Sequence, residues 1–209
     1  MIYKTLISFV FAYLLGSIPT SFLMGKLIKG IDIREYGSGN VGATNALRVL
    51  GTKIGIITLL IDIGKGFFTV QIGKLLVSEP SNLFLIGTGL FGIIGHIFTI
   101  FLKFKGGKGV ATSAGVFIAL SPLPVAIALV VFVVTVWLSK YVSLGSMVAA
   151  FVFFLVELIV NVRNRFANFE LLIFIFLLMV FIFIRHKANI KRIIDGNENR
   201  ISFRDRRDN

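Results

Sequence analysis

The chain has 209 residues, 56% of them hydrophobic and 22 of them phenylalanine, which is more apolar than a soluble domain of this length. It has no cysteine, which excludes disulfides and thiolate metal sites. Its net charge of +12 gathers between apolar spans, a pattern that favours topology signals and small anionic ligands over nucleic acid.

The first apolar span is Ile2–Met24. Lys4 precedes it as in a signal peptide, but no small-x-small cleavage site closes it. Ser17-Ile18-Pro19-Thr20-Ser21 reads as the polar, kinked end of a retained helix. Gly25 to Leu50 is polar and basic. Ile54–Val77 is long enough to cross a membrane, Ser78–Asn82 is a turn with Pro80, and Leu83–Phe101 crosses again. Val110–Leu120 falls short of the ~17 residues a helical crossing needs. It either borrows length from its flanks or is a half-helix packed inside the bundle. Ser121–Pro124 reads as a sharp turn, and Val125–Leu138, Val142–Val160 and Phe169–Ile184 are further crossings. The polar segment from Gly196 to Asn209 is expected to be loose.

These spans predict an all-α, polytopic integral membrane protein of about seven transmembrane helices, with residues 1–195 as one domain and 196–209 as a polar tail. Lys26, Lys29, Arg34, Arg48, Lys53, Lys103, Lys105, Lys108, Lys140 and the segment from Arg185 fall on one side. Lys4, Lys74, Arg163 and Arg165 fall on the other. The bias places the first side in the cytoplasm, the N-terminus outside and the C-terminus inside.

Three polar stretches share the cytoplasmic side. Lys103-Phe104-Lys105-Gly106-Gly107-Lys108-Gly109 lies between two apolar segments. Glycines let successive backbone N–H groups cup an anion, the next helix start adds its positive dipole end, and Lys108 adds a full charge. Gly37-Ser38-Gly39-Asn40-Val41-Gly42-Ala43-Thr44-Asn45 is a second such nest, with hydroxyl donors from Ser38 and Thr44. Arg48 follows on the same face if 43–50 is helical, and its planar fork suits a phosphate. The third stretch, 185–192, places His186 and Asn189 one turn apart if the last helix continues. Each stretch also has a plainer reading: a topology loop, a flexible glycine connection, a basic cluster for anionic lipid. Their convergence on one face favours a shared phosphate site.

The motifs 37–45, Gly95-His96 leading to 101–112, and His186-Lys187-Ala188-Asn189-Ile190-Lys191-Arg192 resemble, in order and spacing, the three signature regions of the bacterial acyl-phosphate:glycerol-3-phosphate acyltransferase family, PlsY. Thr99 departs from the pattern, which has proline between the histidine and the loop. The resemblance implies acyl transfer from a fatty acyl phosphate to glycerol 3-phosphate, giving lysophosphatidate and phosphate at the cytoplasmic face of the bacterial plasma membrane. It implies no cofactor and no metal. It assigns phosphate binding to Ser38, Arg48 and Lys108, and the surrounding hole to Gly39, Asn40, Gly42, Thr44, Asn45 and the backbone of Gly106, Gly107 and Gly109. His186 and Asn189 would position the attacking hydroxyl, with either His186 or a substrate phosphate oxygen as proton acceptor. His96 either orients the loop or is a satisfied core histidine, Asp62 and Lys65 at i,i+3 read as a pair facing the bundle interior or as shaping the site, and Glu157 and the glycines at 89, 92 and 95 are expected to be structural. The competing class is a transporter or channel for a small phosphorylated anion, which needs polar groups at mid-membrane and access from both faces.

Overall fold

The computed structural model describes residues 2–201, so positions 202–209 of the expected polar tail lie outside the described residues. The described residues are all-helical: α1 (Ile2–Ser17), α2 (Thr20–Lys29), α3 (Ala43–Leu50), α4 (Thr52–Leu76), α5 (Asn82–Ile97), α6 (Val110–Leu120), α7 (Pro122–Ser139), α8 (Val142–Arg163), α9 (Phe169–Arg185) and α10 (Lys187–Ile194). Among the described residues, five helical stretches are long and apolar enough to cross a membrane, and α9 with α10 makes six if that bent pair is one span. The chain is a multi-pass membrane protein, with large apolar side chains such as Leu60, Phe68, Val130 and Trp137 turned outward.

α1 and α2 count as one stretch broken at Pro19, which cannot donate an N–H and clashes with the preceding turn. α2 outruns the expected span end at Met24 and carries Lys26 and Lys29 in its last turn, where cations suit the helix dipole. Gly30 ends it at φ 67°, a left-handed cap. Ser121–Pro124 is not a turn before a helix but the start of α7: proline is tolerated at the first helical position, where its missing N–H has no partner to lose.

Contacts divide the described chain into two compact units, residues 2–120 and 121–201. In the first, helix backbones approach through small residues, as membrane helices must in the absence of a hydrophobic drive between them. A β-carbon at Gly66 would overlap the Thr112 carbonyl, and one at Gly115 the Ile63 carbonyl. α6, only 11 residues long, is thus seated directly on α4. Gly92 lies against Thr69, Gly95 against the Tyr13 carbonyl and Gly89 against Val116, the packing role expected of them.

In the second unit, α7, α8 and α9 pack in sequence. Glu157 is buried and structural, as expected: Ser121 Oγ donates to its Oε2 at 2.7 Å and Asn161 Nδ2 to its Oε1 at 3.2 Å. α9 does not continue through His186; the chain bends by 54° there into α10. The segment after α10 is not loose throughout, because Glu198 is buried at 6% exposure.

Candidate functional site

The first loop is built around Asn45. Asp32 Oδ1 accepts the Arg34 N–H at 3.0 Å, opening a 3₁₀ turn over Ile33–Glu35. The Arg34 guanidinium, 2.6 Å away at Nη2, holds the Asp32 carboxyl down to about 2 and lies 5.3 Å from the Phe22 ring. Ile33 is fully buried and packs with Ala46 and Leu50 of α3. Asn45, 1% exposed, then ties the loop together. Its Nδ2 donates to the Ile33 and Tyr36 carbonyls, each at 3.1 Å, and its Oδ1 accepts the Ser38 N–H at 2.9 Å. Gly37 permits this by taking φ 61°, and a β-carbon there would overlap Asn45 Oδ1. Both donors of the Asn45 amide are therefore committed to backbone. Asn45 thereby organises the loop that presents Ser38.

Ser38 and Gly39 are exposed, and Asn40, Gly42 and Thr44 are half-buried. Gly42 opens α3, and its carbonyl accepts from the Asn45 and Ala46 N–H groups at 3.0 Å. The N–H groups of Ala43 and Thr44 precede the first intrahelical acceptor, so the positive end of α3 lies beside the glycine stretch. Arg48 sits in the last turn of α3, half-buried and four residues after Thr44, as expected. Lys29 Nζ caps the far end by donating to the Val49 carbonyl at 2.8 Å.

The second loop folds back onto the end of α5. The Gly106 N–H donates to Ile97 O at 2.9 Å, and the Gly107 N–H to His96 O at 3.1 Å. These two glycine N–H groups hold the loop against the end of α5. Their glycines are required for space: a β-carbon at Gly106 would overlap the His96 carbonyl, and one at Gly107 would overlap His96 Nε2 and stand 2.6 Å from the Val41 carbonyl. Val41 belongs to the first stretch, so the two polar stretches of this unit meet at Val41 and Gly107. Lys108 follows, half-buried, and Gly109 at φ 86° starts α6, its carbonyl accepting from Ser113 N and Oγ at 2.8 Å. Lys103, Phe104 and Lys105 are exposed.

In the second unit, His186 and Asn189 are both buried. His186 Nδ1 lies 2.8 Å from the Ile182 carbonyl. A carbonyl only accepts, so Nδ1 carries a proton. Asn189 Nδ2 donates to Glu198 Oε1 at 2.7 Å. Ser143 Oγ donates to the same oxygen at 2.7 Å, and Arg192 Nε to Oε2 at 2.7 Å. Burial opposes the Glu198 charge, but the hydrogen bonds from Asn189, Ser143 and Arg192 outweigh it and hold the carboxyl below its ordinary value. Glu198 and Ser143 escaped sequence reasoning. The stretch after α9 is of mixed charge, with Asp195 near Glu198 in sequence, so no local signal singled Glu198 out.

A family model described as glycerol-3-phosphate acyltransferase matches residues 6–196. The chain belongs to the glycerol-3-phosphate acyltransferase family. It is 46% identical to glycerol-3-phosphate acyltransferase 2 of Bacillus anthracis, covering 94% of this chain and 98% of that one. Identity to the glycerol-3-phosphate acyltransferase of Chlorobaculum tepidum is 43%, covering 93% and 95% of the two chains. The crystal structure of PlsY, an integral membrane glycerol 3-phosphate acyltransferase, in its glycerol 3-phosphate form superposes with a TM-score of 0.84 at 38% identity, over 95% of this chain and 96% of that one. The lysophosphatidic acid form of that protein gives 0.83 at 37% identity. Acyl transfer is thus the chemistry of this chain.

Proposed function

We propose that this acyltransferase moves an acyl group from a fatty acyl phosphate to the sn-1 hydroxyl of glycerol 3-phosphate, giving 1-acyl-glycerol 3-phosphate and inorganic phosphate as the first step of bacterial phospholipid synthesis. The observation that carries this is the meeting of two glycine-rich polar stretches, one bearing Ser38 and Arg48 and the other Lys108, at Val41 and Gly107. Donors and cations of this kind suit a phosphate that is bound or expelled. The substrate hydroxyl oxygen forms a bond to the acyl carbon, and the bond from that carbon to the phosphate oxygen breaks. The leaving phosphate takes the electron pair, and the hydroxyl proton passes to His186 Nε2 or to a phosphate oxygen. The acyl phosphate is already activated, so stabilising phosphate charge is the main demand on the protein.

In this reading Ser38, Arg48 and Lys108 hold phosphate, and Gly39, Asn40, Gly42, Thr44 and Gly109 shape its surroundings. Asn45, Gly106 and Gly107 set the two loops. The resemblance of 186–192 assigns His186 and Asn189 to the attacking hydroxyl. In the same reading the chain crosses seven times, with α6 as the short segment, and the Lys/Arg bias supports an N-terminus outside and a C-terminus in the cytoplasm. The acyltransferase domain is 1–195, the polar tail 196–209 is cytoplasmic, and the site faces the cytoplasm across the bacterial inner membrane. The test is purified protein with palmitoyl phosphate and labelled glycerol 3-phosphate. Lysophosphatidate is expected with this donor and not with palmitoyl-CoA; equal rates with both donors would overturn the proposal.

A further inference from the structure

Beneath the Lys108 loop, within residues 2–120, lies a charged cluster that the phosphate chemistry does not use. Asp62 and Lys65 are 2% and 5% exposed in the interior of α4, and their ion pair measures 2.9 Å. Lys65 Nζ also donates to the Ile18 carbonyl at 2.8 Å, at the break before Pro19. Thr20 Oγ1 donates to Asp62 Oδ1 at 2.9 Å. The same Oδ1 lies 3.8 Å from His96 Nδ1, an electrostatic contact rather than a hydrogen bond. A single carboxylate oxygen thereby draws in groups from α2, α4 and α5.

His96 connects this cluster to the loop. It is 7% exposed in the last turn of α5. Its Nδ1 edge faces Asp62, its Nε2 edge lies against Gly107, and its carbonyl accepts the Gly107 N–H. A charge inside a span is costly to insert. Bracing the break at Pro19 needs only a neutral donor to the Ile18 carbonyl. A carboxylate that also faces an imidazole has a further use, which the ring's second edge identifies.

We propose that His96 is a positioning residue for acyl transfer: Asp62 fixes its ring, and the ring fixes Gly107 and so the place from which Lys108 reaches phosphate. The proposal rests on Lys108 as a phosphate ligand. A displacement of about 1 Å at a reacting group costs up to ~10²-fold in rate, so holding one glycine matters. Asparagine at position 96 keeps a nitrogen near Nδ1 but removes the Nε2 edge. His96→Asn is therefore expected to lose roughly 10- to 100-fold in rate. Its changes in kcat and KM for glycerol 3-phosphate should divide in the same proportion as those of Lys108→Ala. In the Lys108→Ala background it should cause no further loss.

The experiment measures wild type, the two single variants and the double variant with palmitoyl phosphate, after elution profile and melting temperature establish folding. Independent, multiplicative losses would overturn the proposal while leaving Lys108 as a ligand. A wild-type rate in Lys108→Ala would instead remove the phosphate reading, and absent wild-type turnover would remove both. If His96→Asn does not fold, His96→Gln takes its place under the same criterion, since it keeps a polar group toward Gly107 but removes the Nδ1 edge that faces Asp62. Failure of both to fold would make the cluster a folding element and overturn the proposal.

Discussion

Asn45 Oδ1 accepts the backbone N–H of Ser38 at 2.9 Å, so a helix residue sets the position of a loop hydroxyl seven residues away. Asn45→Ala would remove the side-chain donor to the Ile33 and Tyr36 carbonyls and the acceptor of the Ser38 N–H, a loss of about 0.5–1.5 kcal/mol per hydrogen bond. The variant is expected to melt lower and to lose activity through misplacement of Ser38. Asn45→Asp should be no better, because its carboxylate would face two carbonyls. Melting temperature and initial rate of both variants check this; an Asn45→Asp protein with wild-type stability and rate would contradict it.

The glycine-rich stretches, Arg48 on a short helix and the close packing of the glycines at 89, 92 and 95 were all legible, because periodicity and residue chemistry are local. What partners the buried groups was not legible. Thr99 shows the difference. Proline was expected there, and the backbone has φ −65°, the value proline fixes. Threonine adds an Oγ1 donor to the Ser17 carbonyl at 2.5 Å, a tie to α1 that proline cannot make. That contact spans 82 residues, and no local pattern announces it. The burial of Glu198 was missed for the same reason: its hydrogen bond from Ser143 spans 55 residues.

Glu198 carries a prediction with a definite sign. Its folded carboxyl is held below the ordinary glutamate value by Asn189, Ser143 and Arg192, against the cost of burial. A depressed acid stabilises the fold above its unfolded pKa, and that contribution is lost as pH falls through the folded one. Glu198→Gln should therefore lower the melting temperature at pH ~7, and its gap from wild type should shrink below pH ~4. A gap that widens in acid would contradict the assignment of the charge to this site.

Sidedness is open to direct labelling, because the chain has no cysteine of its own. Ser38, Lys105, Lys187 and Ser81 are exposed positions. Single cysteines at 38, 105 and 187 should resist an impermeant thiol reagent applied to intact cells and react once the membrane is opened. A cysteine at 81 should react from outside. Labelling of 38, 105 or 187 from outside would refute the orientation derived from the Lys/Arg bias.

The phosphate geometry itself is tested by initial rates of Arg48→Ala, Arg48→Lys, Lys108→Ala and Lys103→Ala at saturating and limiting glycerol 3-phosphate. Removing one charged donor from an oxyanion site costs about 10²–10³ in rate, so both Arg48→Ala and Lys108→Ala should be nearly inactive while still folded. Arg48→Lys should also be poor, because a point charge cannot span two phosphate oxygens as a planar fork does. Lys103 is exposed at φ 52° at the end of the loop nearer α5, and Lys103→Ala should be mild. Near-inactive Arg48 and Lys108 variants beside an active Lys103→Ala are the predicted result. A Lys103→Ala protein as damaged as Lys108→Ala, or an Arg48→Lys protein near the wild-type rate, would contradict it.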